Sequence, residues 1–203
     1  MAQYKKDEIR EKINSAALRV FAEKGYHGTK ISDIGAEAGI SIGNIYRYYK
    51  SKDDIFYANI PYSFKEDMKK LLLEKISAAR GNKPGLMEQS KELWLINDEV
   101  IEFMVKNRER IIAVFKKSGG TRYEGAKEDL IEFLLKTVRE DYTVQFGGLP
   151  DENRKDMFLR IIYENLINMI LSILEQVENI KEVKQCLSAA NSYHLFGITN
   201  LFR

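Results

Sequence analysis

Residues 25–52 read "GYHGTKISDIGAEAGISIGNIYRYYKSK", and this stretch decides the N-terminal fold. Its first part, "KISDIGAEA" at 30–38, places apolar residues at helical spacing, and Gly39 follows at once. Ser41 then precedes a second short segment. A short helix, a glycine turn and another short helix make a helix-turn-helix arrangement. We expect Thr29 to cap the first of these helices and Ser41 to cap the second.

A longer helix is predicted before this stretch and a further one after it. Residues 6–24 carry apolar side chains spaced as one helix face, and Gly25 is placed to end that helix. Ser51 precedes two aspartates, and acidic side chains in a first turn suit the helix dipole. The sequence therefore predicts a compact three-helix unit over residues 1–52.

The remainder of the chain, residues 53–203, shows helical periodicity and no strand-like alternation. Pro61 is expected to kink or split the first of its helices. The predicted fold class is all-α: an N-terminal three-helix helix-turn-helix domain, 1–52, and a larger C-terminal helical domain, 53–203. The predicted helices of the second domain lie near 52–79, 86–106, 108–118, 122–145, 151–178 and 180–202.

The composition is that of a soluble globular protein. The chain has 203 residues, of which 44% are hydrophobic and 31% charged. The longest apolar run, 166–174, is interrupted by Asn168 and Ser172, so we expect no membrane span and a cytoplasmic location. Cys186 is the only cysteine, which excludes an intrachain disulfide. No residue spacing predicts a metal or cofactor site.

The charge is divided unevenly along the chain. Residues 1–52 hold ten Lys and Arg against six Asp and Glu, whereas residues 53–203 hold 22 against 24. A basic excess confined to the N-terminal end is a weak indication of nucleic-acid binding.

The second short helix is predicted to have an inner and an outer face. Ile45 and Tyr49 are four residues apart and are expected to pack inward. Gly43 has no side chain and would let a DNA backbone or base approach closely. Arg47 can donate two hydrogen bonds to a guanine, and the N-terminal end of such a helix meets base edges in the major groove. The predicted outer face consists of Ile42, Gly43, Tyr46 and Arg47.

Other polar side chains of this stretch are candidates for further DNA contacts. Asn44 lies near the start of the helix, where base contact and plain exposure remain equally open. Hydroxyl and ammonium groups can bind phosphates. The candidates for phosphate contact are Thr29, Ser41, Tyr48 and Lys52.

These residues also carry a family resemblance. The stretch resembles the N-terminal signature of TetR/AcrR-type transcriptional regulators over about thirty residues, with its glycines in register. Lys30 stands where that family often has Ser or Thr, and we expect it to add a phosphate contact; Tyr48 stands where His is frequent. The matching residues are Gly25, Tyr26, Thr29, Ile31, Ile34, Gly35, Ala38, Gly39, Ile40, Ser41, Gly43, Ile45, Tyr46, Tyr48, Tyr49, Ser51 and Lys52.

The resemblance implies how the chain is organised for function. Residues 1–52 would bind double-stranded DNA, and 53–203 would bind a small molecule and dimerise. The last two helices, about 151–178 and 180–202, would form a homodimer interface; the alternative is that they form only the monomer core. Each protomer would read half of a palindromic operator.

The middle helices would hold the ligand, although aromatic and methionine residues at helical spacing are more often core residues. The candidate ligand-binding residues are Trp94, Phe103, Met104, Tyr123, Tyr163 and Asn165.

The predicted function is a ligand-responsive transcriptional regulator, a repressor released from its operator by a small-molecule inducer. The alternative is a DNA-binding activator or chromosome-organising protein without an inducer. An enzyme is the rival class, because "KKSGGTRYEG" at 116–125 suggests a phosphate loop. That segment lacks the G-x-x-x-x-G-K-[ST] pattern and follows no predicted strand, so a turn between helices is the favoured interpretation.

Overall fold

A computed structural model describes residues 2–79, 96–141 and 152–201 of the chain. Every regular element within these ranges is a helix, which confirms the predicted all-α class. The helices are α1 (Ala2–Gly28), α2 (Ile31–Ala38), α3 (Ile42–Ile45), α4 (Lys52–Asn59), α5 (Ser63–Ala79), α6 (Asp98–Lys106), α7 (Arg108–Phe115), α8 (Ala126–Asp141), α9 (Glu152–Gln176) and α10 (Ile180–Leu201).

Two breaks follow from proline and glycine. Pro61 splits the helix predicted over 52–79, as expected, because α4 ends at Asn59 and α5 begins at Ser63. The helices predicted over 108–118 and 122–145 differ from the observed α7 and α8, since residues 116–125 form a loop. Gly120 and Gly125 in this loop have φ of 77° and 80°, values that a right-handed helix does not contain. Residues 86–95 of the helix predicted over 86–106 lie outside the described ranges.

The chain divides into two compact units. The first contains residues 1–65 and 109–126, and the second contains 66–108 and 127–203. The first unit therefore includes α4 and the segment 109–126 in addition to the predicted domain 1–52. Helix α4 belongs to this unit because its Phe56 ring packs edge to face against the Phe21 ring of α1, with the ring centroids 5.0 Å apart. The domain boundary at residue 52 stays a prediction.

The core of the first unit is formed by the inward faces of its helices. The predicted inner positions of α2 and α3 are confirmed, since Ile34 and Ile45 are fully buried. They are buried together with the apolar face of α1 and the apolar side of α4, as expected for a helix-turn-helix unit. The fully buried side chains of this core include Ile13, Ala16, Ala17, Phe21, Ile34, Ile45, Ile55, Phe56 and Ile60.

The turn between α2 and α3 is closed by a left-handed glycine. Gly39 has φ 66° and ψ 33°, and its N–H donates to the carbonyl oxygen of Ala36 at 3.3 Å. The N–H of Ile40 donates to the carbonyl oxygen of Gly35 at 2.9 Å. These two bonds form a Schellman motif, which ends α2 abruptly. A Cβ built on Gly35 would lie 2.8 Å from the carbonyl oxygen of Ile40, so the turn is too tight there for a side chain.

The start of α2 differs from the prediction that Thr29 is its cap. Lys30 is the N-cap residue, and its N–H donates to Asp33 Oδ2 at 2.8 Å. The hydroxyl of Thr29 instead donates to the carbonyl oxygen of Gly25 at 2.6 Å. Gly25 interrupts helical geometry near the end of α1 with φ 74°, and its carbonyl oxygen accepts the Thr29 N–H at 3.2 Å as well as the hydroxyl.

The second unit is a helical domain whose core includes residues of α6, α8, α9 and α10. The N–H of Ile96 donates to Asn191 Oδ1 on α10 at 3.3 Å, and both residues are buried. On the surface, Arg160 of α9 forms ion pairs with Glu128 and Glu132 of α8. Exposed pairs of this kind contribute little to stability.

Helix α9 is unusually apolar. Its segment Asp156–Gln176 is long and apolar enough to cross a membrane by length and composition, with a mean hydropathy of 1.5 and 39% of it buried in the molecule. This differs from the expectation drawn from the sequence, because Asn168 and Ser172 are uncharged and leave the mean hydropathy high. The core helix of a folded domain meets the same criterion.

We predict that Gly39→Ala lowers the free energy of unfolding of the first unit by about 1–2 kcal/mol, because a Cβ is strained at this φ. Gly43→Ala is the matched control: a Cβ at either position meets nothing within 4 Å, and only Gly39 has a positive φ. Thermal and urea unfolding measure both variants. Equal stability of the two variants would contradict the role assigned to the turn.

Candidate nucleic-acid interface

Helix α3 is short and is held at both ends. Ser41 is its N-cap, as predicted, and Ser41 Oγ accepts the N–H of Asn44 at 3.3 Å. The turn that follows keeps helical bonds, since the N–H of Tyr49 donates to the carbonyl oxygen of Ile45 at 3.1 Å. Ile45 is fully buried and Tyr49 is 7% exposed. The prediction that these two side chains pack inward is confirmed, and α3 has a defined outer face.

The outer face of α3 carries side chains that the fold does not use. Ile42 is 45% exposed and Tyr46 is 54% exposed, and Arg47 is exposed as well. Among the residues that the structure describes, the guanidinium of Arg47 has no hydrogen-bond or ion-pair partner. A Cβ added to Gly43 meets nothing within 4 Å, and its φ is not positive. The fold itself therefore does not require glycine at this position.

The electrostatics of this surface favour a negatively charged partner. Residues 40–51 contain two cationic side chains, Arg47 and Lys50, and no acidic one. The acidic residues of the neighbouring α2 have partners of their own: Asp33 binds Lys24 at 3.0 Å, and Glu37 binds Arg19 at 2.6 Å. The hydrogen bond from the Lys30 N–H, followed by that from Lys24, lowers the pKa of Asp33. These carboxylates are therefore offset by partners of their own.

Two predicted phosphate contacts point into the first unit. Thr29 is 2% exposed, and its hydroxyl donates to the carbonyl oxygen of Gly25 near the end of α1. Lys52 Nζ donates to the carbonyl oxygens of Tyr26 at 2.7 Å and of Thr29 at 3.0 Å, and it lies 4.2 Å from the centroid of the Tyr26 ring. Burial lowers the pKa of Lys52. Both residues add side-chain donors to carbonyl oxygens at the end of α1, where a helix has fewer backbone donors.

The remaining predicted contact residues are at least partly exposed. Lys30 and Ser41 are exposed, whereas Asn44 and Tyr48 are half-buried. The structure thus leaves nine of the ten predicted residues at the surface at least in part, and only Thr29 is buried: the nine are Lys30, Ser41, Ile42, Gly43, Asn44, Tyr46, Arg47, Tyr48 and Lys52.

Sequence reasoning missed the contribution of residues 109–126 to the first unit. The N–H of Tyr26 donates to the carbonyl oxygen of Lys117 at 3.1 Å, and Lys117 Nζ donates to that of Glu23 at 2.8 Å. A Cβ on Gly120 would lie 2.3 Å from the His27 ring, so glycine lets this loop lie against α1. The glycines were the only local signal of this approach.

The predicted ligand-binding residues do not form one described pocket. Tyr123 belongs to the first unit, where its hydroxyl donates to the carbonyl oxygens of Ile60 at 3.1 Å and Pro61 at 2.8 Å. Asn165 is exposed, and Trp94 lies outside the described residues.

The other three predicted ligand-binding residues lie in the second unit. Phe103 and Met104 are half-buried, and Tyr163 is buried with its ring 5.5 Å from that of His194. A cleft of about 460 Å³ in the same unit contains none of these six residues. It is lined by Lys69, Asp129, Glu132, Phe133 and Lys136.

Comparison with known proteins identifies the N-terminal segment. Residues 13–58 match the family model described as bacterial regulatory proteins, tetR family. This segment of the chain belongs to the TetR family. This confirms the resemblance predicted from the sequence, and the family that the segment matches is one of regulators rather than of enzymes.

Individual TetR-family relatives are similar over different lengths. The HTH-type transcriptional regulator HbdR of Aromatoleum sp. (strain CIB) is 44% identical over 54 residues, which cover 27% of this chain and 24% of HbdR. The biofilm operon icaADBC HTH-type negative transcriptional regulator IcaR of Staphylococcus aureus is 25% identical over 173 residues, 82% of this chain and 81% of IcaR. The chain thus matches about a quarter of HbdR and most of IcaR.

Similarity to a solved structure supports the fold over nearly the whole chain. The crystal structure of a TetR/AcrR-type transcriptional regulator from Aquifex aeolicus VF5 superimposes with a TM-score of 0.51 at 17% sequence identity. The match covers 96% of this chain and 99% of the other. At this identity the likeness establishes the fold alone, and the function has to be argued from the residues.

We predict that Lys52→Ala lowers the free energy of unfolding by about 1–2 kcal/mol, because two carbonyl oxygens near the end of α1 lose a charged donor. Lys50→Ala is the matched control, since Lys50 is exposed and close in sequence. Urea unfolding of both variants provides the measurement. If Lys52→Ala were as stable as Lys50→Ala, the hydrogen bonds of Lys52 would not contribute to the stability of the first unit.

Proposed function

We propose that the chain is a DNA-binding transcriptional repressor that reads a palindromic operator as a homodimer and is released from it by a small-molecule inducer. The observation that carries this proposal is the outer face of α3, where Arg47 and Tyr46 are exposed without a use in the fold. A capped helix followed by a helical turn that carries an exposed arginine fits the major groove of B-DNA.

DNA reading is assigned to three features of that face. Arg47 donates two hydrogen bonds to a guanine edge, and the ring of Tyr46 contacts a thymine methyl or a neighbouring phosphate. Gly43 lets the start of α3 approach the DNA closely, which gives a reason for glycine at a position where the fold needs none. Ile42 and Asn44 contact bases beside them. Lys30, Ser41 and Tyr48 bind phosphates and fix the register.

Dimerisation is assigned to α9 and α10. Helix α9 is more apolar than its burial in one protomer explains, since 39% of its apolar segment is buried at a mean hydropathy of 1.5. Met157 and Ile161, four residues apart on α9, are 58% and 44% exposed, and Tyr193 on α10 is 78% exposed. A second copy of the chain would cover these side chains through a symmetric interface. A palindromic site then matches the two-fold axis of the dimer.

Repression and induction complete the proposal. The relative IcaR, which aligns with 82% of this chain, is named a negative transcriptional regulator, and this supports repression. An inducer bound in the second unit would favour a conformation in which the two reading helices no longer match the operator spacing. The ligand site is proposed within the helical domain at or near Phe103, Met104 and Tyr163, and the location of the protein is proposed to be the cytoplasm.

Selection of bound duplexes from a random DNA pool, followed by sequencing, tests this function. We expect enrichment of a palindrome. Arg47→Ala should weaken binding to the selected duplex by about 1–3 kcal/mol and relax the preference at one base position in each half-site. Lys70→Ala is the control, because it removes one exposed positive charge from α5 without touching α3. It should leave the base preference unchanged.

Three outcomes would count against the proposal. Absence of any enriched sequence would contradict DNA reading. An unchanged base preference in Arg47→Ala would contradict the groove assignment. A selected complex that no small molecule from a cell extract dissociates would favour a DNA-binding protein without an inducer.

The dimer interface is tested with a matched pair of exposed apolar residues. Ile161 and Leu73 are 44% and 43% exposed, and only Ile161 lies on the proposed interface. We expect Ile161→Lys to weaken self-association by about tenfold or more, because a charge would be buried without a partner. Leu73→Lys should leave it unchanged. Analytical ultracentrifugation measures both variants, and a monomeric wild-type protein or equal effects of the two substitutions would contradict the interface.

A further inference from the structure

A buried chain of polar groups lies behind α3. The side chain of Tyr49, 7% exposed, donates its hydroxyl hydrogen to Asn14 Oδ1 on α1. Asn59 at the end of α4 is 4% exposed, and its Nδ2 donates to the same oxygen of Asn14 at 3.2 Å. One acceptor atom on α1 therefore fixes both the segment after α3 and the end of α4.

The chain of bonds continues to α7. Asn59 Nδ2 uses its second hydrogen on the carbonyl oxygen of Ile55 at 2.7 Å, so both hydrogens of this amide are engaged. The carbonyl oxygen of Asn59, at the end of α4, accepts Arg110 Nε–H at 2.8 Å. All four residues belong to the first unit. A buried polar group that loses its partner destabilises its surroundings, so a shift of one member is transmitted to the next.

Arg110 occupies a particular place along the chain. It lies in the first turn of α7, next to the position between Arg108 and Glu109 where the chain passes from the second unit to the first. Arg110 therefore holds the end of α4 from beside one of the three places where the chain passes between the two units, the others lying at 65–66 and 126–127. The predicted DNA-reading side chains themselves play no part in these bonds.

We propose that Arg110 is a positioning residue for α3, acting through Asn59 and Asn14 on Tyr49. Movement of the first turn of α7 releases the Asn59 carbonyl, the shared acceptor on α1 shifts, and the anchored end of the α3 segment loses its fixed orientation. The regulatory consequence, control of DNA binding by α3, rests on the proposed function. The hydrogen bonds from Arg110 to Tyr49 are the route that we assign to this control.

Amide hydrogen exchange in the DNA-free protein tests the positioning directly. The amides to follow are those of Tyr46, Tyr48 and Tyr49, whose N–H groups donate to the carbonyl oxygens of Ile42 and Ile45. We expect Arg110→Ala to speed their exchange roughly three- to tenfold relative to the amides of α1, because local opening becomes easier. Arg110→Lys, which keeps a donor, should return the exchange toward the wild-type rate.

A double variant distinguishes an effect transmitted through Asn59, Asn14 and Tyr49 from a general destabilisation of the first unit. In a Tyr49→Phe background, which lacks the hydroxyl, Arg110→Ala should add less than about a twofold change, because members of one network are not additive. Tyr123→Phe is the matched control. It also removes a buried hydroxyl that binds carbonyls just after α4, those of Ile60 and Pro61, but it has no bond to Asn14.

The outcomes are distinct. Faster exchange confined to the α3 segment in Arg110→Ala, absent in Tyr123→Phe and lost in the Tyr49→Phe background, supports the proposal. A uniform increase across α1, an equal increase in Tyr123→Phe, or multiplying effects in the double variant would overturn it. The DNA selection decides the proposed function separately, because exchange is measured without DNA: a failed selection with the expected exchange pattern would remove the regulatory consequence and leave the positioning in place.

Discussion

The left-handed turn at Gly39 is the constraint on which the arrangement of the first unit depends. The Ile40 N–H closes on the carbonyl oxygen of Gly35, and this bond fixes the direction in which the chain leaves α2. Ser41 then starts α3 two residues later, so the side chains of Ile45 and Tyr49 enter the core and the opposite face is left to solvent. A turn of another shape would rotate α3 and bury different residues.

The glycines of this stretch serve different purposes, and the structure distinguishes them. Gly39 is required by its φ, and Gly35 is required by the closeness of the Ile40 carbonyl oxygen. Gly43 has neither requirement. A position that is free of internal constraints and lies beside an exposed arginine is best explained by what approaches from outside, which is the basis for assigning α3 to DNA.

The sequence predicted well those features that are determined locally. The helix-turn-helix, the Ser41 cap, the inward packing of Ile45 and Tyr49 and the break at Pro61 depend on neighbours within a few residues. Thr29 and Lys52 were predicted to bind phosphate, because their residue types and positions suit it, and that role stays a prediction. The structure shows both bound to carbonyl oxygens near the end of α1, where Gly25 breaks the helix, and this could not be predicted from their residue types.

Features determined by distant parts of the chain could not be predicted in the same way. The loop 116–125 lies against α1, and Tyr123 binds the carbonyls after α4, although more than fifty residues separate these segments. The bonds from Tyr49 through Asn14 and Asn59 to Arg110 likewise join four separate helical segments. No periodicity or spacing in one sequence indicates such pairs.

The central claim, that the outer face of α3 reads DNA, is tested most directly by a crystal structure of the protein bound to its selected duplex. The account predicts α3 in the major groove, with the Arg47 guanidinium within hydrogen-bonding distance of a guanine edge and DNA close against Gly43. A complex in which α3 faces solvent while another surface of the protein contacts the DNA would contradict it.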